Sequence, residues 1–376
     1  MHLINLKYCK KQFSNIYSYV GVFFFLLSLF YACHENELSI DTANRTIIVY
    51  MAANNSLYAD VSTSLQQIEK GFSGKSTQLI VFVAQVGENP QLLEIQPDTF
   101  KIIKTYPELN TADPAVLKEI LQDGIGLYPA KEYGLILWSH GTSWMPASSM
   151  LRSFGNDFGT QMNIPDLANS LPVKFNFILF DACLMGSVEV AYELKDKADY
   201  LIASPTETIY TGFPYNTVIP ELIQTSIDFN AIAQSYFSYY NAQQGEYQSA
   251  TVSVIKTQQL SSLAAAMKQL CENNPVSIDT LDRTSVQRLD VYEEQYTFDM
   301  LDFVEKIFPN ANKDDFTVQL NKVVLCKYYT PQFILEYDIN TCCGLSCYIP
   351  VPGRDDLNAY YKTLKWYADA GLNYLF

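Results

Sequence analysis

A chain of 376 residues with 48% hydrophobic side chains, 27 Tyr and 22 Phe among them, has the material for one large domain or a domain with an appendage. Its net charge of −15, with no basic cluster beyond the first eleven residues, argues against nucleic acid as a partner. Eight cysteines are too few for a disulfide scaffold at this length. Cys342, Cys343 and Cys347 lack the His residues or second Cys pair of a metal site, which leaves structural thiols or an unassigned disulfide.

Residues 1–33 read as a targeting segment. Lys7, Lys10 and Lys11 precede an apolar run over 19–32, short for a membrane span and suited to a signal peptide. The run ends at Ala32-Cys33 before polar HENELS, which resembles a bacterial lipoprotein signal with Cys33 as the lipidated residue. Phe30 and Tyr31 are bulkier than that signal usually carries, so an uncleaved anchor or ordinary cleavage stays open. The expected location is the cell envelope, lipid-anchored at the outer membrane, and acidic 34–37 resembles a surface-export signal. Residues 34–45 read as a tether.

Strands and helices then alternate. A buried strand is expected over 46–52, a turn at AANNSL, a helix near 58–72 and a second strand over 78–85. A marginal hairpin follows over 92–106. Asp113-Pro114 marks the start of a helix over 115–124, with Asp as cap and Pro at the first position. The third strand, EYGLILWS, runs into His140-Gly141. An irregular stretch over 142–161 contains one basic residue, Arg152, before a short helix over 164–171. The apolar run FNFILFD then ends in Ala182-Cys183, and a strand over 199–204 leads into the loop PTETIYTGFPY. This alternation predicts an α/β domain over 46–255 with a mostly parallel sheet. Residues 256–376 read as a smaller, mainly helical region packed on it, closing with one helix over 355–370.

Two buried strands thus end in reactive groups, and ligands of open α/β sheets bind at such carboxyl ends. If the strands are neighbours, a spacing of ~4.8 Å brings His140 and Cys183 side by side. A free thiol with a pKa of ~8.5 needs such a partner to become a thiolate, and the imidazolium can then protonate a leaving amine. The amides of Gly141 and Cys183 are candidate oxyanion donors. A lone His after a strand, or a lone Cys, is more often structural. Here His140 is the only histidine after residue 34 and mirrors the placement of Cys183.

The segments WSHGTSW, FDACLMGSVEVAYEL, ASPTE and GFPY, in this order after YMAANNSL, resemble the clostripain family of cysteine peptidases, in the caspase, gingipain and legumain group. The resemblance covers roughly 46–225 and implies a caspase-like α/β/α fold. It implies His140 and Cys183 as a catalytic dyad and Asp181 as the acid of a pocket for Arg or Lys. Protein or peptide substrates with basic residues follow from it. Where the family commonly has a second pocket acid this chain has Thr211, and where it tends to have Asp it has Asn54, so strict Arg specificity does not carry over. Members are often zymogens that cut themselves in the loop after the His, which marks Arg152 as the candidate site. Some members need calcium; Asp157 is a candidate ligand, but no calcium-loop pattern accompanies it, so no cofactor is expected. A monomer is expected. The rival readings are a non-catalytic surface lipoprotein that binds proteins or peptides, and another thiol hydrolase or acyl transferase.

Overall fold

The computed structural model describes residues 43–74, 76–147 and 153–376. Strand β1 (Ala43–Ala53) is buried along its last nine residues, as a central strand of a covered parallel sheet must be. It begins within the expected tether. Arg45 is the reason: its guanidinium lies 2.9 Å from Glu132 and donates to the carbonyls of Leu222 and Gln224, so a polar residue is buried with its charge paired. Helix α1 (Val61–Gly71), strand β2 (Thr77–Gln85) and the hairpin of β3 (Gln91–Gln96) and β4 (Thr99–Thr105) follow. Helix α2 (Pro114–Leu127) starts as its sequence predicts, with Asp113 accepting from the amide of Ala115. Next come β5 (Ala130–Trp138), the short pair β6 (Phe154–Asp157) and β7 (Thr160–Met162), α3 (Ile164–Ser170) and β8 (Phe175–Asp181). Helix α4 (Val188–Glu193), β9 (Ala198–Ala203), α5 (Tyr215–Leu222), α6 (Phe229–Asn241) and β10 (Thr251–Lys256) complete the first two thirds.

The main sheet has nine strands, five of them parallel in the order β9-β8-β5-β1-β2. The antiparallel hairpin β3-β4 extends one side and β10 the other. Alternate residues of β1 feed two cores. Ile48 and Tyr50 pack on the face covered by α2, α3 and α4, and Ile47 and Val49 on the face covered by α1, α5 and α6. The result is the expected α/β/α sandwich.

Residues from 256 on are not set apart from this sandwich. Helix α7 (Leu260–Asn273) packs on the first face, then come β11 (Thr297–Asp299), α8 (Met300–Ile307) and α9 (Asp314–Val323). Strand β12 (Val324–Tyr329) follows α9 without a break and pairs antiparallel with β10 as the edge of the main sheet. A small hairpin of β13 (Gln332–Phe333) and β14 (Tyr337–Asp338) precedes β15 (Ser346–Tyr348), which pairs with β11. The expected last helix is two, α10 (Asp355–Tyr361) and α11 (Lys365–Asp369). Residues 43–376 form one compact unit. No helix among the described residues is long and apolar enough to cross a membrane.

The chain runs from β1 outward to β2, then returns to lay β5 on the opposite side of β1. That reversal opens a crevice at the carboxyl ends of β1 and β5, where open α/β sheets place ligands.

Candidate functional site

The register of the parallel strands brings the two reactive ends together. Trp138 of β5 pairs with Asp181 of β8, and the amide of Ser139 donates to the carbonyl of Asp181 at 3.3 Å. His140 and Cys183 each lie two residues beyond that pair, so they leave adjacent strands at the same level. They line one cleft of about 150 Å³ with Leu57, Asp181, Thr208 and Gly212. Ser139 Oγ donates to the carbonyl of Ala52, which ties the end of β5 to the end of β1.

The turn after β1 places a residue against the imidazole. Asn55 fixes this turn, accepting from the amide of Leu57 and donating to the carbonyls of Ala52 and Asn156. The next residue, Ser56, has its hydroxyl 2.9 Å from Nε2 of His140. Gly141 forms a bridge with Phe154 in which Thr142 donates to the carbonyl of Ser153 and Gly155 to that of His140. In this narrow pairing Gly141 turns its own N–H away from Phe154. A Cβ at Gly141 would come within 2.9 Å of the carbonyl oxygen of Cys183, so glycine alone permits this approach.

Cys183 is held by the loop between β9 and α5. The amide of Thr208 donates to Sγ at 3.3 Å, and Sγ lies 3.7 Å from the Thr208 carbonyl oxygen. Leu184 turns at φ +63°, and its amide donates to the carbonyl of Thr206. Thr206 is itself pinned through Thr251 and Ser204. Burial pushes the thiol up to about 12; the amide of Thr208 pulls the other way, and the charges of Glu207 and Asp181 add to the rise. The thiol of this conformation is protonated at neutral pH.

Asp181 is buried at the base of the same cleft. Its Oδ2 accepts from the hydroxyl of Tyr215 at 2.7 Å and the amide of Phe213 at 3.1 Å. Burial raises its carboxyl to about 6, against the lowering effect of those two donors. Gly212 lies flat against the carboxylate at φ +65°. Thr211 is not brought into the cleft: its hydroxyl is 2.8 Å from that of Tyr240, which donates onward to the carbonyl of Gly212. Asn54 donates to Asp157, whose Oδ2 also takes the amide and hydroxyl of Thr111. Among the described residues no group of three His, Cys, Asp or Glu side chains could hold a metal ion. The six described cysteines are free thiols, so no disulfide joins Cys342, Cys343 and Cys347. Arg152 and Cys33 lie outside the described residues.

Sequence reasoning missed Ser56 and Thr208. Ser56 sits in the turn AANNSL at the carboxyl end of β1, so its strand-end position was the available signal. Thr208 carried none, because its contact with Cys183 is made by backbone groups.

The clostripain family model, peptidase family C11, matches residues 49–343. Clostripain of Hathewaya histolytica is 25% identical over an alignment of 221 residues, with coverage of 47% of this chain and 42% of that protein; the match thus spans less than half of the relative's length. An inactive zymogen C11 protease from Parabacteroides distasonis is 32% identical with a TM-score of 0.76, covering 88% of this chain and 98% of its own. A secreted C11 cysteine protease from Bacteroides thetaiotaomicron, solved with an irreversible peptide inhibitor, is 30% identical with a TM-score of 0.77, covering 87% and 99%. The sheet and its covering helices are accordingly those of the caspase-like fold.

Proposed function

Because the chain belongs to the clostripain family of cysteine peptidases, we propose that it hydrolyses peptide bonds after an Arg or Lys, using His140 and Cys183. The observation that carries this reading is the in-register pairing of β5 with β8, which brings the two residues to one cleft. Cys183 Sγ attacks the substrate carbonyl and gives its proton to His140, while the amides of Gly141 and Cys183 face the developing oxyanion. His140 returns that proton to the amine as the C–N bond breaks. Water then attacks the thioester, losing a proton to His140, and the thiol is restored. Asp181 is the anion beneath the basic side chain. No cofactor enters these steps.

The described conformation is then a resting one. Cys183 Sγ is clasped by the amide of Thr208, and His140 is held through Ser56. Cleavage at Arg152, in the loop between β5 and β6, is the proposed activating event, and the similarity to a protein described as an inactive zymogen supports it. Lipidation at Cys33 would hold the protein at the cell envelope; radiolabelled palmitate incorporated by the chain and lost in Cys33→Ser tests that separately.

The test of the function is turnover of Arg-amide and Lys-amide reporters by the full chain, beside Cys183→Ala and His140→Ala. Losses of at least about a thousandfold are expected in both variants. Reporters left uncut, together with a Cys183 that a basic acyloxymethyl ketone does not alkylate, would instead point to a binding module on the same fold.

A further inference from the structure

The loop that clasps Cys183 has a second side. Thr208, Ile209 and Tyr210 line the cleft described above and also a separate one of about 360 Å³. The second cleft has an apolar wall of Phe333, Ile334 and Tyr247, and three carboxylates: Glu207 within it and Glu246 and Glu336 at its exposed rim. Two of its lining residues, Tyr210 and Tyr247, have their hydroxyls 3.5 Å apart.

Glu207 is the informative residue. Its Oε1 accepts from the amide of Val291, but its Oε2 is shielded from water and has no hydrogen-bond partner among the described residues. A buried carboxylate oxygen left unpaired is costly, and such groups in native proteins mark a missing partner. The neighbouring cation, Arg288, is committed elsewhere: it donates to the carbonyls of Asp290 and Tyr292 and stacks on Tyr337. Burial lifts Glu207 to about 7, and a turn of this side chain toward the cleft would give Oε2 the partner it lacks once a cation arrives there.

Apolar walls with carboxylates at the base and rim match an aliphatic stem carrying a cationic head. We propose that this cleft is a second substrate subsite that takes a Lys or Arg side chain of the same peptide, apart from the basic residue next to the scissile bond. The inference rests on the peptidase reading above. An extended peptide presents alternate side chains roughly 7 Å apart, so one lying over the Thr208–Tyr210 wall can fill both clefts. The enzyme would then read two basic side chains, and Glu207 would supply selectivity that Thr211 does not.

Cleavage-site profiling of the full chain on a proteome-derived peptide library tests this. The expected profile shows Lys or Arg at the cleaved residue and, enriched roughly tenfold, at one further position. The second enrichment should vanish in Glu207→Gln and fall in the Glu246→Gln/Glu336→Gln double variant. Should Glu207→Gln fail to fold, the double variant carries the test alone. Basic residues enriched only at the cleaved position, or a second enrichment indifferent to these substitutions, would overturn the subsite while leaving the peptidase reading intact. Absence of any basic preference at the cleaved residue would overturn the specificity reading, and the subsite with it.

Discussion

Asp181 meets two opposing demands, since a carboxylate that attracts a basic side chain must be charged, yet its burial favours the neutral acid. Tyr215 and Phe213 offset part of that cost and leave the group at about 6. Below this value the floor of the cleft is neutral; above it the floor carries a negative charge. For the peptidase proposed here, kcat/KM on Arg-amide and Lys-amide reporters should therefore rise with pH through about 6. Asp181→Asn should flatten that limb and lower kcat/KM on basic reporters by roughly 10- to 100-fold. A limb that survives in Asp181→Asn would assign it to another group. The same shift has a stability sign: the folded state keeps a proton that the unfolded chain releases near 3.8, so this group costs stability as pH rises between 3.8 and about 6. His140, Cys183 and Asp181 were legible because each sits at the end of an apolar run. Ser56 was not legible as a contact of the imidazole, because 84 residues separate it from His140 and only the strand order brings them together.

Among the elements, the connection between β9 and α5 organises the cleft. Gly212 shows how tightly: a Cβ there would lie 2.5 Å from Asp181 Oδ2, and its φ of +65° disfavours any L side chain. Gly212→Ala should destabilise the fold by about 1–3 kcal/mol through strain and displacement of the Asp181 cage. Chemical denaturation would read the loss, and a midpoint equal to that of the unsubstituted chain would show that the loop yields freely. The parallel strands were legible because burial on both faces demands near-continuous apolar runs, as in FILF of β8. Strand β12 was not. Its residues alternate between half-buried and exposed at an open edge, Lys327 interrupts the run, and it continues from α9 with no turn residue to mark the change. The single helix expected over 355–370 failed for a related reason: the caps lie within the run, where Leu364 adopts an extended backbone and restarts the chain as α11.

At the scale of the molecule, the boundary expected at residue 255 would cut through one core. Leu260, Leu263 and Met267 of α7, with Phe316, Leu320 and Val323 of α9, are buried in the same cluster as Ile178, Leu201 and Ile255 of the sheet. Beyond them, β12 covers the hydrogen-bonding edge of β10. A chain ending after Lys256 would expose that apolar face and leave β10 as an open edge, the two features that drive association of partly covered sheets. It should therefore be insoluble or bind hydrophobic dye without a cooperative thermal transition, whereas the chain through Phe376 should unfold in one transition. Calorimetry of both decides the point. A single cooperative transition in the shortened chain would mean that residues 43–256 bury enough surface alone, and that the C-terminal third is an addition to the catalytic body rather than part of its core.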